Sequence, residues 1–147
     1  MHIIAWSTIL KLCEIITMPL VNLNTSDHFI IEVVRNFDFL KEYGYHISDI
    51  YDYRGELGVI YKSRKVRRII DIGWWEFFHF EIERTFIFTR RISIYDLYEY
   101  YHEGNLRVLI NHNNYVNLIK RNADFVKKNL IPLISGKRWI SSISHFV

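Results

Sequence analysis

Cysteine, proline and glycine are scarce in this sequence, and each scarcity closes off a class of architecture. Cys13 is the single cysteine, so an intrachain disulfide and a thiolate metal cage are both excluded. The same usage fits a reducing, cytoplasmic compartment. With only two prolines (Pro19, Pro132) and six glycines in 147 residues, there is no linker, repeat or low-complexity tract, and one domain is expected. Charge of one sign is lacking too. Sixteen acidic residues nearly balance 19 basic ones, and the net charge of +3 falls short of the basic stripe that marks a nucleic-acid partner. Long apolar runs are also absent. A spanning helix needs about 20 apolar residues, whereas the run Ile3 to Ile16 is broken by Lys11 and Glu14 and has no basic lead or small-residue cleavage site. A soluble chain without a membrane partner is the expectation, with residues 1–17 either an accessory amphipathic helix or a dispensable extension ahead of Met18.

What the chain does have is material for a core: 50% of its residues are apolar and 16% aromatic, which excludes disorder. Ser26 or Asp27 can cap a helix by accepting a backbone N–H, after which Ile30, Val33, Val34, Phe37 and Leu40 recur at three- and four-residue steps up to a stop at Gly44. From about Asp49 to Ile92 the period changes to two. Strands are expected over Val59–Lys62, Val66–Ile72, Phe77–Glu83 and Phe86–Ile92, with a hairpin turn near Arg84-Thr85. Phe78, Phe80, Phe86 and Phe88 would be buried, while Arg67, Glu81, Glu83 and Arg91 would pair on a wet outer face. Ser93 and Asp96 form an approximate capping box for a short helix through Tyr101, with Gly104 beyond it. A longer helix should run from about Asn114 to Leu130, and Leu133 to Trp139 should make a last turn stopped at Gly136. The fold class is therefore α+β: an N-terminal helix, an antiparallel meander of three to four strands and closing C-terminal helices.

Motifs that could carry catalysis are each better explained by structure. Arg107 and His112 have the spacing of the arginine–histidine pair of HEPN ribonucleases, but such a gap arises readily by chance and an all-helical family does not suit a meander. His79-Phe-Glu81 resembles half of a zinc deaminase site without its Pro-Cys-x-x-Cys partner, and the two side chains share one outward strand face. Gly55-Glu-Leu-Gly58 lacks the third glycine and the lysine of a phosphate cradle. Cys13 lies in an apolar run where a thiolate is disfavoured. No catalytic residue, metal ligand set or cofactor is assigned. The basic run Arg64 to Arg68 beside Trp74 and Trp75 has the ingredients of single-strand binding, but Arg67 and Arg68 alternate in direction and Glu81 and Glu83 offset them, so nucleic acid is the lesser alternative. Of the adjacent pair Trp74 and Trp75, one must face inward and the other outward.

Phe37-Asp-Phe-Leu40 with Tyr43-Gly-Tyr45, the strand Val59-Ile-Tyr61-Lys-Ser63, Ile69 to Ile72, Phe86 to Ile92, Ile94-Tyr-Asp-Leu97 and Leu133 to Trp139 together resemble small bacterial immunity-type proteins of toxin–immunity systems. The resemblance spans residues 29–140 and rests on hydrophobic spacing. It implies a non-enzymatic binder that neutralises a toxin by covering it, with no catalytic residues to carry over. Interface anchors are typically aromatic or arginine, which makes Trp74, Trp75, Tyr98, Tyr101, Arg67 and Arg91 the candidate partner-binding residues.

Overall fold

A computed structural model describes residues 25–103 and 108–147. The expectations for residues 1–17, Cys13, Gly104 and Arg107 lie outside the described residues. The described residues begin with α1 (Thr25–Asn36), whose buried face carries Phe29, Ile30 and Val33. The apolar stripe continues to Leu40 as expected, but the α-helix does not. It tightens into a 3-10 turn, Asp38–Tyr43, that ends at Gly44 with φ 81°, the left-handed conformation glycine tolerates.

Six antiparallel strands follow in one sheet whose spatial order equals the chain order. They are β1 (His46–Tyr53), β2 (Glu56–Ser63), β3 (Arg68–Trp74), β4 (Phe78–Thr85), β5 (Thr89–Ser93) and β6 (His145–Phe146). The α+β class holds, but six strands replace the three to four expected. Two sit at the edges. β1 contributes Ile50 as its only buried residue, and a bulge at Ser48 shifts its pairing between Ile47 and Asp49. A bulge reverses side-chain parity, so the alternation that identifies a strand is interrupted there. β6 is two residues long and has no period to read.

The inner face of the sheet carries Leu57, Val59 and Tyr61 of β2, Ile70 and Ile72 of β3, Phe78, Phe80 and Ile82 of β4, and Ile92 of β5. The described helices cover this face. α2 (Ile94–Tyr100) starts at Ser93 with a complete capping box, in which Asp96 answers the serine as expected. α3 (Tyr115–Asn129) buries Leu118, Ile119, Phe125 and Val126, and α4 (Ile131–Ile134) buries Leu133 and Ile134 before Gly136. Phe37 and Phe80 stack at 5.9 Å in the middle of this layer, both fully buried. Tyr45 ties the layer to the sheet by donating a hydrogen bond to the Ile134 carbonyl at 2.9 Å.

Phe86 and Phe88 are not in the core. The β4–β5 ladder closes at the Thr85–Thr89 pair, later than the expected turn at Arg84-Thr85, and residues 86–88 form the loop. Phe86, Ile87 and Phe88 are 72%, 77% and 68% exposed. Period-two reasoning places alternate residues inward, but it has no valid assignment for three consecutive apolar residues at a turn. Arg67 likewise leaves the sheet: it lies in the β2–β3 turn with φ 53° and does not join the outer-face ion pairs.

Candidate binding face

The outer face of the sheet is half-exposed along its length and carries the polar side chains. Its layout starts from two glycines. Tyr51, Gly58, Gly73 and His79 are successive cross-strand partners on β1, β2, β3 and β4. Without Cβ atoms on Gly58 and Gly73, the Tyr51 side chain lies flat across β2 and β3, and a Cβ added at either glycine would stand 2.5 Å from its hydroxyl. The hydroxyl thereby reaches Asp71, donating to Oδ1 at 3.0 Å. Burial, reinforced by the Asp71 carboxylate, raises the Tyr51 pKa above the ordinary phenol range, so this tyrosine is a fixed hydrogen-bond donor near neutral pH.

The polar row continues through His79. Its Nε2 is 3.6 Å from Asp71 Oδ2 and 3.8 Å from Glu81 Oε2, and the indole of Trp75 stacks on its ring at 4.5 Å and 15°. Glu81 then meets Arg91 Nε at 2.9 Å, and Arg91 also donates to Glu83 at 3.2 Å. Burial, with help from Asp71 and Glu83, lifts the Glu81 pKa above the ordinary carboxylate value, while His79 and Arg91 pull the other way. Beyond Arg91 the face opens into a cavity of about 260 Å³ lined by Glu81, Arg91, Ser93, His145, Phe146 and Val147. That cavity borders the apolar loop, because Phe88 packs edge-on against Phe146 at 6.2 Å and Val147 hydrogen-bonds the Thr89 carbonyl. Phe86, Ile87, Phe88, Phe146 and Val147 are all exposed at this edge of the sheet, the apolar tip, where Phe88 meets Phe146 and Phe146 lies over Arg90 at 4.5 Å toward the inner face.

The six expected partner-binding residues separate on the structure. Trp75 and Arg91 lie on this face, Trp75 being 46% exposed. Trp74 faces the other way, stacked on Tyr115 at 5.6 Å and tilted against Phe29. Tyr98 is buried at 3% exposure, stacked on Phe125 and hydrogen-bonded to Asn122, so it supports the core and cannot anchor a partner. Tyr101 is half-buried against the same Phe125, remote in the fold from the outer face. Arg67 is exposed in its turn. Sequence reasoning missed Tyr51 and the tip. The signal for Tyr51 was the pair of isolated glycines within strands, and the signal for the tip was the uninterrupted Phe-Ile-Phe between two threonines.

His79 and Glu81 do share a face, yet among the described residues no group of three or more His, Cys, Asp or Glu is placed to hold a metal ion. His112 sits in the turn before α3, exposed, with Nδ1 3.2 Å from Thr25 Oγ1. In HEPN ribonucleases the histidine of the pair lies on a helix, whereas His112 lies in a turn. No described helix is long and apolar enough to cross a membrane. No protein-family model, curated protein or solved structure matches the chain.

Proposed function

We propose that this chain is a non-enzymatic protein-binding module whose partner seats along the outer face of the sheet, from Trp75 to the apolar tip. The observation that carries the reading is the tip. Five apolar side chains there stand at exposures near 70%, with Phe88 and Phe146 in contact, and exposed apolar surface is costly in water unless something covers it. Trp75 supplies a second aromatic anchor at the other end of the strip. Between the two, Glu81, Arg91 and His145 provide the polar groups that a rim or register contact requires. The resemblance to immunity-type proteins supports a toxin as the partner, held by an interface of about 1,200–2,000 Å² in total.

The test compares proteins retained by the wild-type chain with those retained by two variants, Phe88→Ser with Phe146→Ser, and Trp75→Ala. All three residues are substantially exposed, so both variants should fold. The expected result is a partner held by the wild type, weakened about 30-fold or more, or about 2 kcal/mol, by loss of an anchor, and unaffected by Tyr53→Ser on the far edge strand. Equal retention by all variants would remove this face from consideration.

A further inference from the structure

We propose that the end of the sheet's inner face, between the β2–β3 turn, β4 and the Ser135–Gly136 turn, is a binding site for a phosphate group, either free or as a small phosphomonoester. The sheet register places three arginines in one row. Arg68 pairs with Arg84 across β3 and β4, and Arg84 pairs with Arg90 across β4 and β5. Cross-strand partners stand about 5 Å apart at Cβ, and like charges in that position repel. Among the described residues none of the three forms a salt bridge. A row of cations that no described residue neutralises points to an anion as its counter-charge.

The donors at this end of the sheet are left over in the same sense. Nε of Arg68, Arg84 and Arg90 and Nε1 of Trp139 are all buried without a hydrogen-bond acceptor among the described residues. All four can only donate. Arg68 is the most enclosed at 7% exposure, held in place by donating from Nη1 to the Val66 and Arg67 carbonyls at 3.1 and 3.3 Å. Trp139 fixes the geometry, with Arg68 Cζ 5.1 Å and Arg84 Cζ 4.7 Å from its ring. Stacked guanidinium groups are pre-organised for planar, bidentate recognition of an oxyanion.

A cavity of about 450 Å³ opens on Arg68 and Arg84, and its wall also includes Lys65, Arg67, Ser135 and Gly136; Arg90 lies outside it, over the Phe146 ring and donating to the Ser144 carbonyl at 3.4 Å. Four cations and no carboxylate line it. Burial, joined by the positive charge of Arg84 and opposed by Tyr45, lowers the Arg68 pKa, which a bound anion would reverse. The volume lies in the range of small-molecule sites. Cations grouped around one cavity, as opposed to a stripe along the surface, favour a compact phosphate over a nucleic-acid strand.

Calorimetric titration of the full chain with inorganic phosphate and with adenosine monophosphate, in chloride buffer at constant ionic strength, tests this. One saturable site is expected for at least one of them: a preference for the nucleotide identifies a phosphomonoester, and equal or better binding of phosphate identifies the free ion. Arg84→Met should weaken binding about tenfold or more. The same variant should melt no lower than the wild type without ligand, since it removes a like-charge neighbour. Lys65→Ala at the exposed rim should weaken binding less, and Arg121→Met on α3 should leave it unchanged. The proposal is overturned if neither ligand saturates, if Arg84→Met binds like the wild type, or if only a single-stranded oligonucleotide competes for these arginines.

Discussion

Replacing Gly73 with alanine probes the packing that builds the outer face. The new Cβ would lie 2.5 Å from the Tyr51 hydroxyl and 2.9 Å from the Leu57 carbonyl oxygen. Because the ring is the movable partner, it is displaced first, and the 3.0 Å hydrogen bond to Asp71 is lost with it. Hydrogen bonds to charged groups contribute about 1.5–3 kcal/mol, and overpacking adds about 1–3 kcal/mol. Against these, alanine gains about 0.5–1 kcal/mol over glycine in a strand, leaving a net destabilisation of about 1.5–5.5 kcal/mol. In urea, with a slope near 2 kcal/mol/M for a domain of this size, the midpoint should fall by about 1–3 M. Tyr51→Ala removes the obstructing ring but leaves the Leu57 carbonyl at 2.9 Å, so in that background part of the cost should vanish and the double-mutant cycle should show a coupling of about 1–2 kcal/mol. Gly58→Ala should keep more of its cost, because its Cβ meets a backbone oxygen more closely, the Ile72 carbonyl at 2.6 Å against 2.9 Å to the Leu57 carbonyl at Gly73. Its cost should persist without Tyr51. Additive effects of Gly73→Ala and Tyr51→Ala would refute the idea that these glycines exist to seat the tyrosine.

Three further outcomes are expected. Glu81 has a raised pKa in the folded protein, so the native state holds its proton more tightly than the unfolded chain does; its contribution favours folding at low pH and is lost as pH rises from the ordinary carboxylate value through the folded one. Unfolding curves of Glu81→Gln and the wild type should therefore diverge across mildly acidic pH, and parallel curves would show that Glu81 titrates normally. Ser93→Ala removes an N-cap whose Oγ accepts from the Asp96 N–H at 3.3 Å, and denaturant unfolding should report a loss of about 1 kcal/mol. Purified protein should leave single-stranded RNA intact with or without His112→Ala, whereas cleavage abolished by both Arg107→Ala and His112→Ala would replace the binding reading with a ribonuclease.

The sequence reveals those parts of the fold where a side chain's direction follows from the local period. The strand Phe78 to Ile82 alternates cleanly because its two faces meet different surroundings, the apolar core on one side and the polar row through His79 and Glu81 on the other. The helix Tyr115–Asn129 shows its buried stripe for the same reason. β1 was only partly legible because an edge strand buries little and a bulge breaks its parity. The opposite facing of Trp74 and Trp75 follows from strand geometry, but which of the two is exposed depends on where Tyr115 and Phe29 lie, and that is a tertiary fact. Tyr98 shows the same limit. On a short helix its neighbours Tyr95 and Tyr101 are half-buried, and only the approach of Phe125 and Asn122 from α3 encloses it.

Two features contradict what local rules predict, and they adjoin each other at one end of the molecule. Apolar residues belong in a core, yet Phe86, Ile87 and Phe88 stand in solvent; charges belong at the surface or in pairs, yet Arg68 is buried beside Arg84 with no carboxylate. Each lowers the stability of the free chain, the first through exposed apolar area and the second through desolvated, mutually repelling cations. In a fold that is otherwise consistent from propensity to packing, such local conflicts concentrate where function resides. They also differ in kind: an apolar tip is relieved by a macromolecular surface, an arginine row by an anion. Phe86 borders the arginine cavity as well as belonging to the tip, so a partner that covers the tip would also close the mouth of the cavity. Anion binding and partner binding should therefore be coupled, and by thermodynamic linkage phosphate should change partner affinity by the same factor as the partner changes phosphate affinity.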